Sequence, residues 1–203
     1  MLRSFSSFPE TINLAAFCPR TKAHGPGLRA VIYVQGCNQR CPGCIAPEWQ
    51  EQRQAELVRV HDLAQRILAE PVTGLSISGG EPMLQAGALA NLVAVLRQER
   101  PKMDVICFTG FQLGQLLLSG NADVERLLGM ADVLIDGPYV EALNDNRGLR
   151  GSSNQVVHRL TKRGKQMVFD FENAPRQVEI HVDQTGYLLV GIPPSGVLQA
   201  LEK

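Results

Sequence analysis

The chain has 203 residues, 44% of them hydrophobic and 20% charged, and its 20 Lys+Arg balance its 20 Asp+Glu to leave no net charge. That length suits one globular domain with a full core and no staples, and the balance gives no electrostatic basis for binding nucleic acid or a membrane surface. No apolar run approaches the ~18 residues that span a bilayer, and residues 1–10 lack the apolar stretch of a secretory signal, so a cytoplasmic protein is expected.

The predicted elements alternate in type. Residues 29–35, with Val31, Ile32, Tyr33 and Val34, read as a strand that runs straight into Gly36. Residues 62–70 carry Leu63, Ile67 and Leu68 at helical spacing and stop at Pro71. Residues 72–78 form a second strand ending in Gly79-Gly80, and residues 84–100 a second helix closed by Pro101. A third strand covers 104–109 before Gly110, a helical stretch follows over 112–129, and a fourth strand at 132–135 ends at Asp136-Gly137-Pro138. Residues 144–154 are a polar, Gly-rich loop. Residues 177–182 and 187–190 pair as a hairpin around Gln184-Thr185-Gly186. Lys162, Arg163 and Lys165 read as a solvated loop or helix end.

Strand–helix alternation predicts parallel strands covered by helices. The chain is too short for an eight-fold barrel of ~250 residues. The expectation is an α/β fold: a partial, open parallel β/α barrel with a short C-terminal hairpin. It is one domain over residues 1–203, with its core at about 25–160 and an extension at about 161–203. The motif-bearing residues all follow strands, and ligand sites of parallel α/β folds gather at the carboxyl ends of strands.

The five cysteines are Cys18, Cys37, Cys41, Cys44 and Cys107. An odd count with three clustered is a poor disulfide framework, and in a reducing compartment it reads as metal binding. Cys37, Cys41 and Cys44 have the spacing C-x3-C-x2-C. Three thiolates this close converge on one centre if the loop wraps it, and Pro42-Gly43 suits the tight turn. Iron–sulfur clusters take thiolate ligands, usually four. A set of three leaves one iron open, which signals chemistry rather than scaffolding. A structural zinc site completed by Cys18 or His24 is the competing reading, but the second C-x2-C pair it would need is missing. Cys107 lies in an apolar strand and reads as a small hydrophobe. Cys18 reads as an ordinary loop residue, and His24, His61, His158 and His181 as scattered structural histidines.

The cysteine spacing after the first strand, with Gly79-Gly80-Glu81-Pro82 after the second, resembles the radical S-adenosylmethionine (SAM) superfamily. His24-Gly25-Pro26-Gly27-Leu28-Arg29, Tyr33 and Gly36-Cys37 are similar to the signature of glycyl-radical-enzyme activating proteins. Residues 108–111, 132–139 and 150–155 are similar to the anaerobic ribonucleotide reductase activating proteins. The resemblance implies that Cys37, Cys41 and Cys44 hold one [4Fe-4S] cluster. It further implies that Ser78, Gly79, Gly80, Glu81 and Pro82 meet the methionine end of SAM, with Thr109 and Gly110 as further contacts. Asp136 would bond the ribose or order the site.

The implied reaction is reductive cleavage of SAM to a 5′-deoxyadenosyl radical, which takes hydrogen from a glycine of a partner glycyl radical enzyme. A flavodoxin or ferredoxin would supply the electron. Residues 150–155 would recognise SAM or the partner, or else form local turns. Gly43 stands where many relatives carry an aromatic residue, leaving Tyr33, Ile45 or Trp49 as a surface for adenine. A radical SAM enzyme acting on a small molecule or peptide, and a non-catalytic cluster-binding regulator, are the alternatives.

Overall fold

The computed structural model describes residues 10–184 and 186–197. Nine strands run in chain order: β1 (Thr11–Thr21), β2 (Arg29–Val34), β3 (Glu56–Arg59), β4 (Gly74–Gly79), β5 (Asp104–Phe108), β6 (Val133–Asp136), β7 (Val156–Arg159), β8 (Val178–Asp183) and β9 (Gly186–Gly191). Five helices accompany them: α1 (Val60–Leu68), α2 (Ala86–Glu99), α3 (Leu113–Leu118), α4 (Ala122–Met130) and α5 (Lys162–Gln166). The first seven strands form one sheet in the order β3-β1-β2-β4-β5-β6-β7. Its centre, β2-β4-β5-β6, is parallel, while β1, β3 and β7 pair antiparallel at the flanks. The fold is therefore mixed α/β with a mostly parallel sheet.

The parallel strands are apolar on both faces because both are covered. Ala30, Ile32, Val34, Leu75, Ile77, Val105, Cys107 and Leu134 face the main core, shared with Leu63 and Ile67 of α1, Leu89, Leu92 and Leu96 of α2, and Leu127 of α4. On the opposite, inner face, Ile106, Val133 and Ile135 pack with Leu149 and Phe171, bordered by Phe169 and Ile192. Val31 and Tyr33 pack there with Cys18 and Val190. The extension thus folds back over the inner face of the sheet, and β8-β9 is the hairpin expected from the sequence.

Some expectations are revised. The stretch at 112–129 is two helices, broken at Gly120, whose φ of +62° ends α3. β1, β3 and β7 add antiparallel flanks that strand–helix alternation did not announce. The basic cluster is the helix end expected, with Lys162 and Lys165 exposed on α5, while half-buried Arg163 also reaches the buried carboxylate of Asp132 at 3.3 Å.

Candidate metal centre at the strand ends

β2 delivers the chain to Gly36, whose φ of +96° turns it out of the sheet. The root of the loop is pinned, because the Gly36 amide donates to Trp49 O at 2.9 Å and the Cys37 amide to Gln50 O at 3.0 Å. Inside this closure the chain doubles back through positive φ at Arg40 (+49°) and Gly43 (+69°), and the Cys44 amide donates to Cys41 O at 3.3 Å. Cys37, Cys41 and Cys44 are free, half-buried thiols on this one loop, whereas Cys18 and Cys107 are free and buried. The Gln39 amide points at Cys37 Sγ at 3.4 Å. Burial pushes the Cys37 thiol up, and the amides of Gln39 and Arg40 oppose that by favouring the thiolate.

Among the described residues no three His, Cys, Asp or Glu side chains are gathered as a formed metal site. The three thiols lie within one eight-residue stretch of the loop, where Cys41 bears electrostatically on the Cys37 thiol. The donor set itself, three soft thiols on one pinned loop, fits an iron–sulfur cluster.

The residues after β4 brace this loop. A side chain on Gly79, whose φ is +105°, would begin 2.3 Å from Val34 N, and one on Gly80 would begin 2.3 Å from Gly36 O. Both glycines are thus already demanded by backbone packing against the loop root, where the Gly80 amide donates to Val34 O (2.7 Å) and the Glu81 amide to Gly36 O (2.8 Å). Glu81 is buried. Its Oε1 accepts from Met83 N at 2.9 Å and from the Thr109 hydroxyl at 2.8 Å, and its Oε2 accepts from Gly110 N at 2.8 Å. Burial pushes the Glu81 carboxyl up against these three donors. A side chain on Gly110 would in turn meet Gln39 Cγ at 2.5 Å. Glu81, Thr109 and Gly110 therefore form a strut from the end of β4 to the end of β5 and on to the cysteine loop. Pro82 is buried below it, while Ser78, opposite Tyr33 in the ladder, stays half-buried.

Asp136 is also buried, and its Oδ2 accepts from Leu113 N at 2.5 Å and lies 3.0 Å from His158 Nε2. It starts α3 and so orders the next strand end. Residues 150–155 tie back largely to the chain after β6. Gln155 bridges Gly151 N (2.7 Å) and Gly137 O (2.8 Å), Asn154 donates to Pro138 O (2.8 Å), and Ser152 Oγ accepts from Val140 N at 3.1 Å. Of the aromatic surfaces, Tyr33 is already tilted against Trp49 at 4.8 Å, while Ile45 is exposed beside Cys44. Glu141 was not foreseen: its carboxylate sits where a side chain on Gly43 would reach, 2.8 Å from that position. No local pattern announces such a contact between residues so far apart in sequence.

Residues 23–158 match the family model described as a 4Fe-4S single cluster domain. The anaerobic ribonucleoside-triphosphate reductase-activating protein of Escherichia coli (strain K12) is 32% identical over 159 residues, covering 73% of this chain and 99% of that protein. The protein of the same name from Vibrio cholerae is 34% identical over 164 residues, covering 74% of this chain and 99% of that protein. A pyruvate formate-lyase-activating enzyme of Staphylococcus aureus is 37% identical over 81 residues, 36% of this chain and 32% of its own length. The three thiols and the glycine brace all lie inside the matched region, and the chain belongs to the radical SAM activating family that includes the anaerobic ribonucleoside-triphosphate reductase-activating proteins.

Proposed function

We propose that the chain is a radical SAM oxidoreductase that reductively cleaves S-adenosylmethionine and installs a glycyl radical on a partner enzyme resembling anaerobic ribonucleotide reductase. The observation that carries this reading is the pinned loop holding three free thiols at the carboxyl ends of the parallel strands, in a chain that covers almost the whole length of the reductase-activating proteins it resembles. Cys37, Cys41 and Cys44 would hold the [4Fe-4S] cluster. Ser78, the backbone of residues 79–82 and Gly110 would line the place for the methionine end of SAM. The Glu81 carboxylate is fully engaged inside the fold, so it positions Gly110 and the loop rather than meeting SAM directly. Thr109 and Asp136 act in the same way, as supports of the strand ends.

When bound, cluster and SAM supply the electron transfer and the radical chemistry, and the protein's task is placement and exclusion of water. The inner face provides the exclusion: Val31, Ile106, Val133 and Ile135 are buried and apolar. The sheet with its single helical layer is read as an open barrel whose interior is this face. A flavodoxin- or ferredoxin-type protein would supply the electron. No helix among the described residues is long and apolar enough to cross a membrane.

Anaerobic assembly of the cluster on the full chain tests the proposal. The expected result is four irons per chain, by analogy with the matched domain, with SAM cleavage on reduction and a glycyl radical signal once the partner is added. Cys44→Ala is expected to lose the iron and all cleavage while keeping its far-ultraviolet circular dichroism. Bound zinc, or a Cys44→Ala protein that still holds a full cluster, would sink the idea. Cleavage with no glycyl signal would favour the second reading, a small-molecule or peptide substrate, which the covering of the inner face by residues 167–192 supports.

A further inference from the structure

β8 and β9 lie beyond the matched residues 23–158 and form a two-stranded sheet of their own, with no backbone ladder to the seven-stranded sheet among the described residues. Directly paired residues share a face of a hairpin. Glu179 with Val190 and His181 with Leu188 form one face; Ile180 with Leu189 and Val182 with Tyr187 form the other. The first face lies on the inner side of β1 and β2, where Val190 is fully buried with Cys18, Val31 and Tyr33, and Leu188 and Trp49 border the cluster. The second face is open, with Ile180, Val182 and Tyr187 at 51%, 77% and 64% exposure.

Beside that small apolar contact the hairpin is held by a side-chain clasp. Glu179 Oε1 accepts from the Lys22 amide at 2.9 Å, and His181 Nε2 lies 3.1 Å from Glu179 Oε2 and 3.6 Å from Cys18 Sγ. Lifting the hairpin breaks this clasp and leaves the ladder of the large sheet whole, while the detached two-stranded ladder, marginally stable on its own, opens with it. Cooperative units held by few apolar contacts open at a free energy well below global unfolding. What lies beneath is also incompletely satisfied. The Tyr33 hydroxyl sits by the Gly191 amide without a well-formed hydrogen bond, and His24 Nδ1, on a ring edge-on to Tyr33 at 5.8 Å, has no partner. Buried polar atoms without well-formed partners are uncommon in folded proteins, and Tyr33, which carries one, packs directly against Val190 of this separable element.

We propose that the β8–β9 hairpin is a lid that lifts off β1 as a unit and gates access to Tyr33, His24 and the inner face of the sheet. That what passes the gate is a polypeptide segment of the partner rests on the proposed function; that the gate opens does not.

Hydrogen exchange on the iron-loaded full chain tests this. Amides of residues 178–191 are expected to exchange together, ~100-fold faster than those of β2 and β4, as a sub-global opening requires. Glu179→Ala is expected to speed the hairpin a further ~10-fold and leave β2 and β4 unchanged. In the same variant acrylamide should quench Trp49, the single tryptophan, more strongly. Hairpin amides as slow as β2 in both proteins, or a variant that speeds β2 and β4 equally, would overturn the lid. SAM cleavage measured in parallel separates the two ideas: opening without cleavage keeps the gate and removes the activity, and cleavage without opening does the reverse.

Discussion

His24 is held neutral by its surroundings. Its ring is buried, edge-on to Phe108 at 4.9 Å as well as to Tyr33, and burial together with the nearby Arg29 charge lowers its pKa from 6.5 to about 3. Below pH 6.5 the unfolded chain takes up a proton that the folded chain refuses. This contribution to stability is therefore whole above that pH and is lost as pH falls toward about 3, at ~1.4 kcal/mol per pH unit. Urea unfolding of the iron-free chain at several pH values should show this slope, and His24→Phe, which keeps both ring contacts, should flatten it. Equal slopes in the two proteins would assign the effect to another group. One histidine beside Gly-Pro-Gly says nothing of its own burial, so this role was not legible in the sequence. The group Gly79-Gly80-Glu81-Pro82 was legible as a group, but the reason for its glycines, two backbones in contact, appears only in three dimensions.

Among elements, the link between the ends of β4 and β5 depends on one carboxylate. In Glu81→Gln an amide NH2 must face Met83 N–H and the Thr109 hydroxyl, or else Gly110 N–H, so at least one donor meets another donor. The expected loss is ~1–3 kcal/mol, which lowers Tm by ~2–4 °C for each kcal/mol in a chain of this size. Because Gly110 rests on Gln39 of the cysteine loop, the variant should also release iron to a chelator faster than the wild type. A Tm and an iron-release rate both unchanged would show that the strut does not matter. The parallel strands were legible because strands covered on both faces read as continuous apolar runs. β1 was not: its burial alternates only weakly, and bulges at Leu14/Ala16 and Cys18/Thr21 break its register. β3 and β7, four residues each and mostly polar or half-exposed, leave a signal too short to read.

Across the whole molecule, chemistry and stability occupy opposite ends of the sheet. The cysteine loop, the glycine brace and Asp136 lie at the carboxyl ends of the parallel strands, and a set of buried ion pairs lies at the amino ends. Arg29 is fully buried and donates to Asp104 Oδ1 (2.5 Å), the Ser76 hydroxyl (2.8 Å) and Leu75 O (2.8 Å). Asp132, equally buried, takes Arg97 at 2.7 Å and the Thr161 hydroxyl at 2.5 Å. Removing one partner of a buried pair leaves the other charge uncompensated, so Asp104→Ala should cost ~3–5 kcal/mol in urea unfolding. Iron binding by the fraction still folded should be unaffected, and a loss under ~1 kcal/mol would mean that Arg29 finds water instead. Arg29 was legible at the far end from the cysteines, since it opens the strand that runs into Gly36, but its burial and its partner Asp104, 75 residues away, were not.

The division extends to sulfur. Cys18 and Cys107 are wholly enclosed, and burial pushes the Cys18 thiol up to about 11 and the Cys107 thiol higher still. Neither offers a thiolate to an alkylating reagent or to a stray ferric ion at neutral pH. Iodoacetamide should therefore modify three sulfurs in the folded apoprotein quickly, Cys18 slowly and only as the hairpin above it lifts, and Cys107 only once the protein is denatured, so the enclosed Cys107 cannot divert iron while a cluster is being built.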